Sequence, residues 1–189
     1  MLTLNEAPVV TALCKEPEGD IIRAVSPMVL TPQNLRTFWE KSRPFRTLFT
    51  DEINGDYKKF LELFLSMDGD NIRAHGLFWL VDDFVGIFYM THITELDAQC
   101  HFTFFDRRLK GREELTKSII RYVFEKFGFR RLNVEIPKYA SKHTFGFTIA
   151  LGFVKEGEKR KAAFYKDDWF DVVCFGLLRE EALRDVSEN

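Results

Sequence analysis

Residues 102–128 read FTFFDRRLKGREELTKSIIRYVFEKFG: an apolar strand, a basic turn with one glycine, then an amphipathic helix. A strand that delivers the backbone to a tight loop before a helix aims the loop amides and the helix N-terminus at one point. That arrangement suits a bound phosphate group. Arg107, Arg108, Lys110 and Arg112 place four cations around Gly111, the residue whose missing side chain lets a bulky anion approach the backbone. In the helix, Leu115, Ile119, Val123, Phe124 and Phe127 recur at three- to four-residue spacing, and Gly128 supplies the stop.

Strands flank this unit. GLFWLV (76–81) and FVGIFYMTHI (84–93) are rich in aromatic and β-branched residues, with Asp82-Asp83 as the hairpin turn between them. A third strand is expected over about 98–105, after the ELD turn. RLNVEIP (131–137) is a short strand stopped by proline, and a helix dependent on packing follows from Ser141 to about Leu151. Two last strands, about 153–164 and 169–179, meet at a polar turn around Lys166 to Asp168. Toward the N-terminus, IIRAVS (21–26) is the best strand segment of an extended arm. Thr31-Pro32 opens a helix to about Lys41. Asp56 caps a second helix with Tyr57, Phe60, Leu61, Phe64 and Leu65 on its apolar face, and SMDGDN (66–71) ends it. The expected fold is a mixed, mostly antiparallel α/β sheet of about six or seven strands in one layer, with helices on both faces. Residues 1–180 form a single domain and 181–189 a tail.

Composition narrows the function classes. A chain of 189 residues with 46% apolar and 30% charged residues is that of a soluble globular protein, and twenty phenylalanines point to an aromatic core or an apolar cleft. The net charge of -2 argues against general nucleic-acid binding. No apolar run approaches the roughly 20 residues of a bilayer span, and the N-terminus lacks a basic n-region, so a cytoplasmic setting without membrane contact is expected. Cys14, Cys100 and Cys174 are odd in number, widely spaced and without a CxxC pair, which favours reduced thiols. No His/Cys spacing matches a metal site, and Asp68-Gly69-Asp70 reads as a turn.

The element order, with the strand, basic loop and helix after a third meander strand, resembles the GNAT family of acetyl-CoA-dependent acyltransferases. The Rim-type branch, which acetylates protein N-termini and small amines, is the most similar. The family signature Gln/Arg-x-x-Gly-x-Gly/Ala is matched at its first two fixed positions by Arg108 and Gly111. Ser141 opens the next helix, and Gly152-Phe153 with Glu156-Gly157 completes a second signature. The resemblance covers about residues 20–180, most securely 76–157. It departs from the family at Glu113, where Gly or Ala is usual, at Ser141, commonly Asn, and at Thr148, where many members carry a tyrosine general acid.

The resemblance implies a splayed pair of parallel strands holding the pantetheine arm of acetyl-CoA. Backbone groups of Phe104 and Phe105 would face the arm, and Arg107, Arg108, Leu109, Lys110, Gly111, Arg112 and Glu113 would surround the pyrophosphate. Ser141 and Thr144 would stand near the far end of the arm, and the strand around Asn133 to Ile136 would form the other side of the splay. Acetyl transfer needs a neutral amine and therefore a base. His101, Glu135, Glu95 and Asp97 are the candidates, with His101 and Glu135 carried forward as catalytic residues. The competing reading of His101 is a polar strand residue on the helix-covered or solvent face, and that of Glu135 is an edge or surface position. Adjacent Cys100 and His101 project to opposite sides of a strand and form no dyad. A second basic run, Lys155 to Lys161 with Lys166, reads as the exposed hairpin between the last two strands, open to the cofactor's 3′-phosphate or to an acidic substrate. The expected activity is direct transfer from acetyl-CoA to an amine, either a protein N-terminus or a small amine. The alternative is a catalytically weak protein of the same fold that binds CoA and acts through protein contact.

Overall fold

The computed structural model describes residues 10–14, 21–69, 71–82, 84–106 and 109–184. The elements run β1 (Val10–Cys14), β2 (Ile21–Pro27), α1 (Pro32–Ser42), α2 (Asp51–Asn54), α3 (Tyr57–Glu62), β3 (Leu65–Asp68) and β4 (Asn71–Ala74). They continue with β5 (Leu77–Val81), β6 (Gly86–Thr91), β7 (Asp97–Phe104), α4 (Arg112–Phe127), β8 (Arg131–Pro137), α5 (Lys142–Ala150), β9 (Val154–Tyr165), β10 (Asp168–Leu178) and α6 (Arg179–Ala182). One eight-stranded sheet has the order β1-β2-β5-β6-β7-β8-β10-β9, and β3 pairs with β4 apart from it. Every neighbouring pair in the main sheet is antiparallel except β7 and β8, which are parallel. A parallel pair needs a crossover, and α4 is that crossover.

Helices cover both faces, as expected, and alternation along each strand divides the core in two. Trp79, Val81, Phe88, Met90, Ala98, Cys100, Leu132 and Phe175 face α4 and α5 and pack on Leu115, Ile119, Val123 and Phe124. Phe78, Ile87 and Tyr89 face the other way, onto Leu35, Phe38 and Trp39 of α1 and Phe60 of α3. Phenylalanines fill both cores, and in the second they gather around Phe38. Phe38 lies within 5.3–6.3 Å, ring centre to ring centre, of Phe49, Phe60, Phe64, Tyr89 and Phe105. Such edge and tilted contacts add about 0.5–1.5 kcal/mol each beyond area burial.

Local signals explain the helix boundaries. The Thr31 hydroxyl accepts from Asn34 N–H at the start of α1, and one Asp56 carboxylate oxygen accepts from Lys58 and Lys59 N–H at the start of α3. Gly128 ends α4 at φ +73°, the left-handed conformation in which a side chain is penalised.

The sheet differs from expectation in three places. Its strand count is eight rather than six or seven, because part of the N-terminal arm pairs with β2, Val10 opposite Val25. SMDGDN does not merely end a helix: Asp68 pairs with Asn71 as the last rung of the β3–β4 hairpin. The basic run 155–161 is not the hairpin turn but the body of β9. The turn is Lys166-Asp167, at φ +51° and +60°, the sign pattern that matches strand twist in a two-residue hairpin. At the C-terminus, α6 continues the packed structure, with Ala182 and Leu183 against the α4-side core. No helix among the described residues is long and apolar enough to cross a membrane.

Candidate active site

The parallel pairing of β7 and β8 is short: Asp97 opposite Arg131, Ala98 opposite Leu132, Gln99 opposite Asn133. Beyond Gln99 the strands part, so Cys100–Phe104 and Val134–Pro137 flank a wedge. The backbone edges lining it are not paired with one another. Phe104 ends β7, and it and the following Phe105 divide between the faces. The Phe104 ring meets Phe147 of α5 edge-on at 6.2 Å, and Phe105 meets Phe38 and Phe45 on the opposite side. Gly86 makes room for Phe104, since a side chain there would come within 2.8 Å of the Phe104 ring.

The loop after Phe105 leads to the α4 N-terminus. Arg107 and Arg108 lie outside the described residues. Leu109 is buried and anchors the loop, while Lys110 and Arg112 are exposed. Gly111 is the N-cap of α4 in the left-handed conformation, φ +67°, ψ +14°. The first intrahelical bond runs from Leu115 N–H to the Gly111 carbonyl at 3.0 Å. The amides of the preceding turn therefore have no intrahelical acceptor, as at any helix start. They border a groove of about 660 Å³ lined by Leu109–Glu114 and by Phe147. Glu113, the residue out of place for an anion site, is turned along the helix, with its carboxylate 2.6 Å from Lys117 Nζ. A left-handed glycine, helix-start amides without an intrahelical acceptor and a carboxylate turned along the helix thus border this groove.

Ser141 and Thr144 lie at the start of α5 and hold each other. Ser141 Oγ accepts from Thr144 N–H at 3.3 Å and lies 3.1 Å from Thr144 Oγ1. Both residues are exposed, so their hydroxyls can still meet a ligand. Thr148 is buried, and its hydroxyl donates to the Thr144 carbonyl at 3.0 Å. This position offers no acid.

On the face of α1 and α3, the wedge presents different chemistry. His101 pairs with Tyr89 across β6 and β7 and stacks on its ring at 4.4 Å and 8°. Its Nε2 lies 3.0 Å from Thr91 Oγ1. Burial, helped by the nearby His92, lowers its pKa to about 4, so the ring is neutral at physiological pH. Two residues past the last paired rung, Gln99–Asn133, alternation puts His101 of β7 and Glu135 of β8 on the same face of the sheet. Glu135 is not at an edge: β8 lies between β7 and β10. Its carboxylate pairs with Lys159 of β9 and raises the pKa of that ammonium. Glu95 and Asp97 are not brought to the wedge. They lie at the paired end, where the Asp97 carboxylate accepts from the Thr94 hydroxyl at 2.7 Å.

The sequence pattern of an acetyltransferase (GNAT) domain matches residues 48–174. The chain belongs to the GNAT family. An N-acetyltransferase described as uncharacterised, YokL from the SPbeta prophage of Bacillus subtilis (strain 168), is 30% identical over 69 residues, which are 36% of this chain and 38% of that protein. The stretch thus spans well under half of that relative. Solved GNAT-type structures share the fold over nearly their whole length. A spermidine N-acetyltransferase from Vibrio cholerae, in complex with CoA and spermine, gives a TM-score of 0.60 at 16% identity, over 85% of this chain and 98% of that one. A ribosomal-protein-S5-alanine acetyltransferase from Vibrio fischeri gives 0.60 at 14%, over 86% and 96%. A probable GNAT acetyltransferase from Chromobacterium violaceum gives 0.65 at 16%, over 96% and 94%.

Within this GNAT domain, reading the sequence overlooked three site features. Phe147 closes the groove of the α4 N-terminus, yet it sits in a helix with no apolar stripe to mark it. Thr91 bonds His101 from the neighbouring strand, a contact set by register alone. Tyr139, in the turn after β8, stacks on Tyr165 at 4.3 Å, and burial pushes its hydroxyl up to about 12. Asp51 of α2 accepts from the Lys166 N–H, so α2 meets the tip of the β9–β10 hairpin. Among the described residues no group of His, Cys, Asp or Glu is gathered to hold a metal.

Proposed function

We propose that this protein is an acetyl-CoA-dependent N-acetyltransferase of the Rim-type branch that transfers the acetyl group directly to a primary amine, either a protein N-terminus or a small amine. The observation that carries this reading is the wedge between β7 and β8, with the groove at the α4 N-terminus on one face and a neutral His101 and the Glu135 carboxylate on the other. Gly111, Lys110, Arg112, the amides through Glu113 and, from the sequence, Arg107 and Arg108 hold the pyrophosphate. Backbone groups at Phe104 and Phe105 meet the pantetheine arm, with Ser141 and Thr144 beside it. Bound acetyl-CoA supplies the thioester that is attacked.

The chain's own residues do the rest. An aliphatic amine arrives mostly protonated at neutral pH. Glu135 attracts that ammonium, and His101, neutral and on the same face, takes its proton so that nitrogen becomes a nucleophile. Unpaired backbone N–H groups of the wedge are suited to a carbonyl oxygen that gains charge as attack proceeds. Thr148, locked onto the helix backbone, favours the second reading, a CoA-binding protein with weak catalysis.

Calorimetric titration with acetyl-CoA tests the cradle. Native protein binds, and Arg108→Ala combined with Gly111→Asp weakens binding greatly; absence of binding by the native chain overturns the proposal. Release of free CoA thiol is then measured with spermidine, a short peptide beginning with alanine, and a small alkylamine. Binding without thiol release from any of them supports the weak-catalysis reading.

A further inference from the structure

His101 is tied to a second histidine through one hydroxyl. Its Nε2 lies 3.0 Å from Thr91 Oγ1, and the same oxygen lies 3.3 Å from Nδ1 of His92. Both distances are within hydrogen-bond range, and a hydroxyl can accept from one ring while donating to the other. His92 follows β6 at φ +48°, in the left-handed region, where histidine is better tolerated than most side chains. That turn brings its ring back onto its own neighbour. His92 is exposed, and together with Thr91 and His75 it lines an open groove of about 670 Å³, bounded also by Leu63, Leu77 and Ile93. The groove lies at the end of β6 remote from the α4 N-terminus, since Thr91 pairs with Gln99 and Gly86 with Phe104.

We propose that His101, Thr91 and His92 form a proton relay that carries the acceptor's proton from the wedge to this groove. This rests on the reading of His101 as the base. An ammonium acceptor must lose two protons to become an amide. One leaves through the relay: His101 Nδ1 takes it from the amine while Nε2 passes its own proton to Thr91 Oγ1. The threonine hydroxyl proton moves to His92 Nδ1, and His92 releases one from Nε2 to water in the groove. The N–C bond then forms, the C–S bond breaks, and the second amine proton stays with the departing sulfur as a thiol. Water returns the three groups to their starting tautomers between turnovers.

The relay answers a difficulty that a lone base would meet. Burial and the neighbouring His92 both penalise an imidazolium at His101. Passing one proton on while taking another keeps the ring neutral throughout. The other groups around His101 do not compete for the proton. Burial raises the Tyr89 hydroxyl out of the working range, the rings of Phe38 in α1 and Phe64 just after α3 meet Tyr89, and Glu135 of β8 is bound to Lys159.

The test uses the amine turned over fastest and compares Thr91→Val, Thr91→Ser, His92→Gln and His101→Gln with native protein. Readouts are kcat across pH, the solvent deuterium effect on kcat, acetyl-CoA affinity and the thermal unfolding midpoint. Thr91→Val keeps the shape and loses the hydroxyl. It should lower kcat by about tenfold or more, reduce the deuterium effect and leave acetyl-CoA affinity unchanged. Thr91→Ser should restore both kinetic readouts. His92→Gln, at an exposed position, should lower kcat at neutral pH and be rescued by added imidazole. If His101→Gln is inactive while Thr91→Val and His92→Gln keep native kcat and isotope effect, the relay is wrong and the base stands. If His101→Gln keeps native kcat, the base reading fails and the relay with it, as both do if no amine is turned over.

Discussion

The Glu113 carboxylate lies 2.6 Å from Lys117 Nζ, one turn along α4 from the helix N-terminus. Both side chains are about half exposed, so the pair adds little to stability. Its consequence is directional: it draws a negative charge away from amides that suit an anion. Lys117→Gln frees that carboxylate to contest the site and should weaken acetyl-CoA binding by about two- to fivefold, the scale of one charge at a helix terminus. Glu113→Ala should bind at least as tightly as native protein and make the Lys117 substitution silent. Calorimetric titration of the two single variants and the double variant measures this coupling. Equal affinities throughout would show that Glu113 already stands clear of the ligand without Lys117.

His101 gives stability a pH dependence whose sign follows from its burial. Its folded pKa is near 4 against an ordinary 6.5. The unfolded chain thus binds the proton more readily. The contribution is complete above pH 6.5 and is lost as pH falls from 6.5 toward 4. A shift of that size corresponds to roughly 3 kcal/mol at the limit. Urea unfolding at pH 7.5 and pH 4.5 should show a smaller loss of stability for His101→Gln than for native protein. His92→Gln removes the one neighbouring charge that lowers His101, so the His101 ring should titrate at higher pH by NMR. An unchanged midpoint would mean that burial alone sets it.

Much of this was legible in the chain because local chemistry agrees with tertiary demand. The α4 span from Arg112 to Phe127 follows from apolar spacing and two bounding glycines, and both glycines take left-handed conformations. The β3–β4 hairpin was not legible. Leu65 and Ser66 are only partly buried and the rest of its strand residues are exposed, so no alternation marks them. Asp68-Gly69 was the available signal: Gly69 sits at φ +60° in the turn. At the site, the anion loop could be read because its residues are contiguous. His101, Thr91 and His92, or Glu135 and Lys159, meet only through cross-strand register. The β9–β10 ladder shifts between Phe170 and Val172 and again between Cys174 and Phe175, so counting from the turn misplaces Lys159 relative to β8.

Two glycines near the site should respond in opposite directions to the same change. Gly146 lies within α5 with nothing within 4 Å of where a Cβ would stand. Gly146→Ala should therefore stabilise the protein by about 0.5–1 kcal/mol through helix propensity. At Gly76, leading into β5, a Cβ would press onto the Met90 carbonyl oxygen and lie 3.1 Å from the Phe78 ring. Backbone does not yield as a side-chain tip does, so Gly76→Ala should cost about 2 kcal/mol or more. Thermal unfolding of both variants checks the contrast. A neutral Gly76→Ala would mean that β5 shifts freely against β6.

Glu135 and Lys159 form one ion pair, yet their removal should act on the acceptor with opposite signs. Glu135 is half-buried on the wedge face, whereas Lys159 reaches it from exposed β9. Lys159→Met removes a cation from the mouth and leaves the carboxylate free for an incoming ammonium, so the KM of a cationic amine should fall. Glu135→Gln leaves the lysine unanswered beside the same path, and KM should rise. Each change should be about three- to tenfold, the effect of roughly 1 kcal/mol for a charge near the surface, and should shrink in high salt. Acetyl-CoA affinity should hold in both, because the cradle lies on the other face. Steady-state kinetics at two ionic strengths separates this from a structural effect. If both variants shift KM in the same direction, the pair shapes the mouth by packing, and its charges do not select the acceptor.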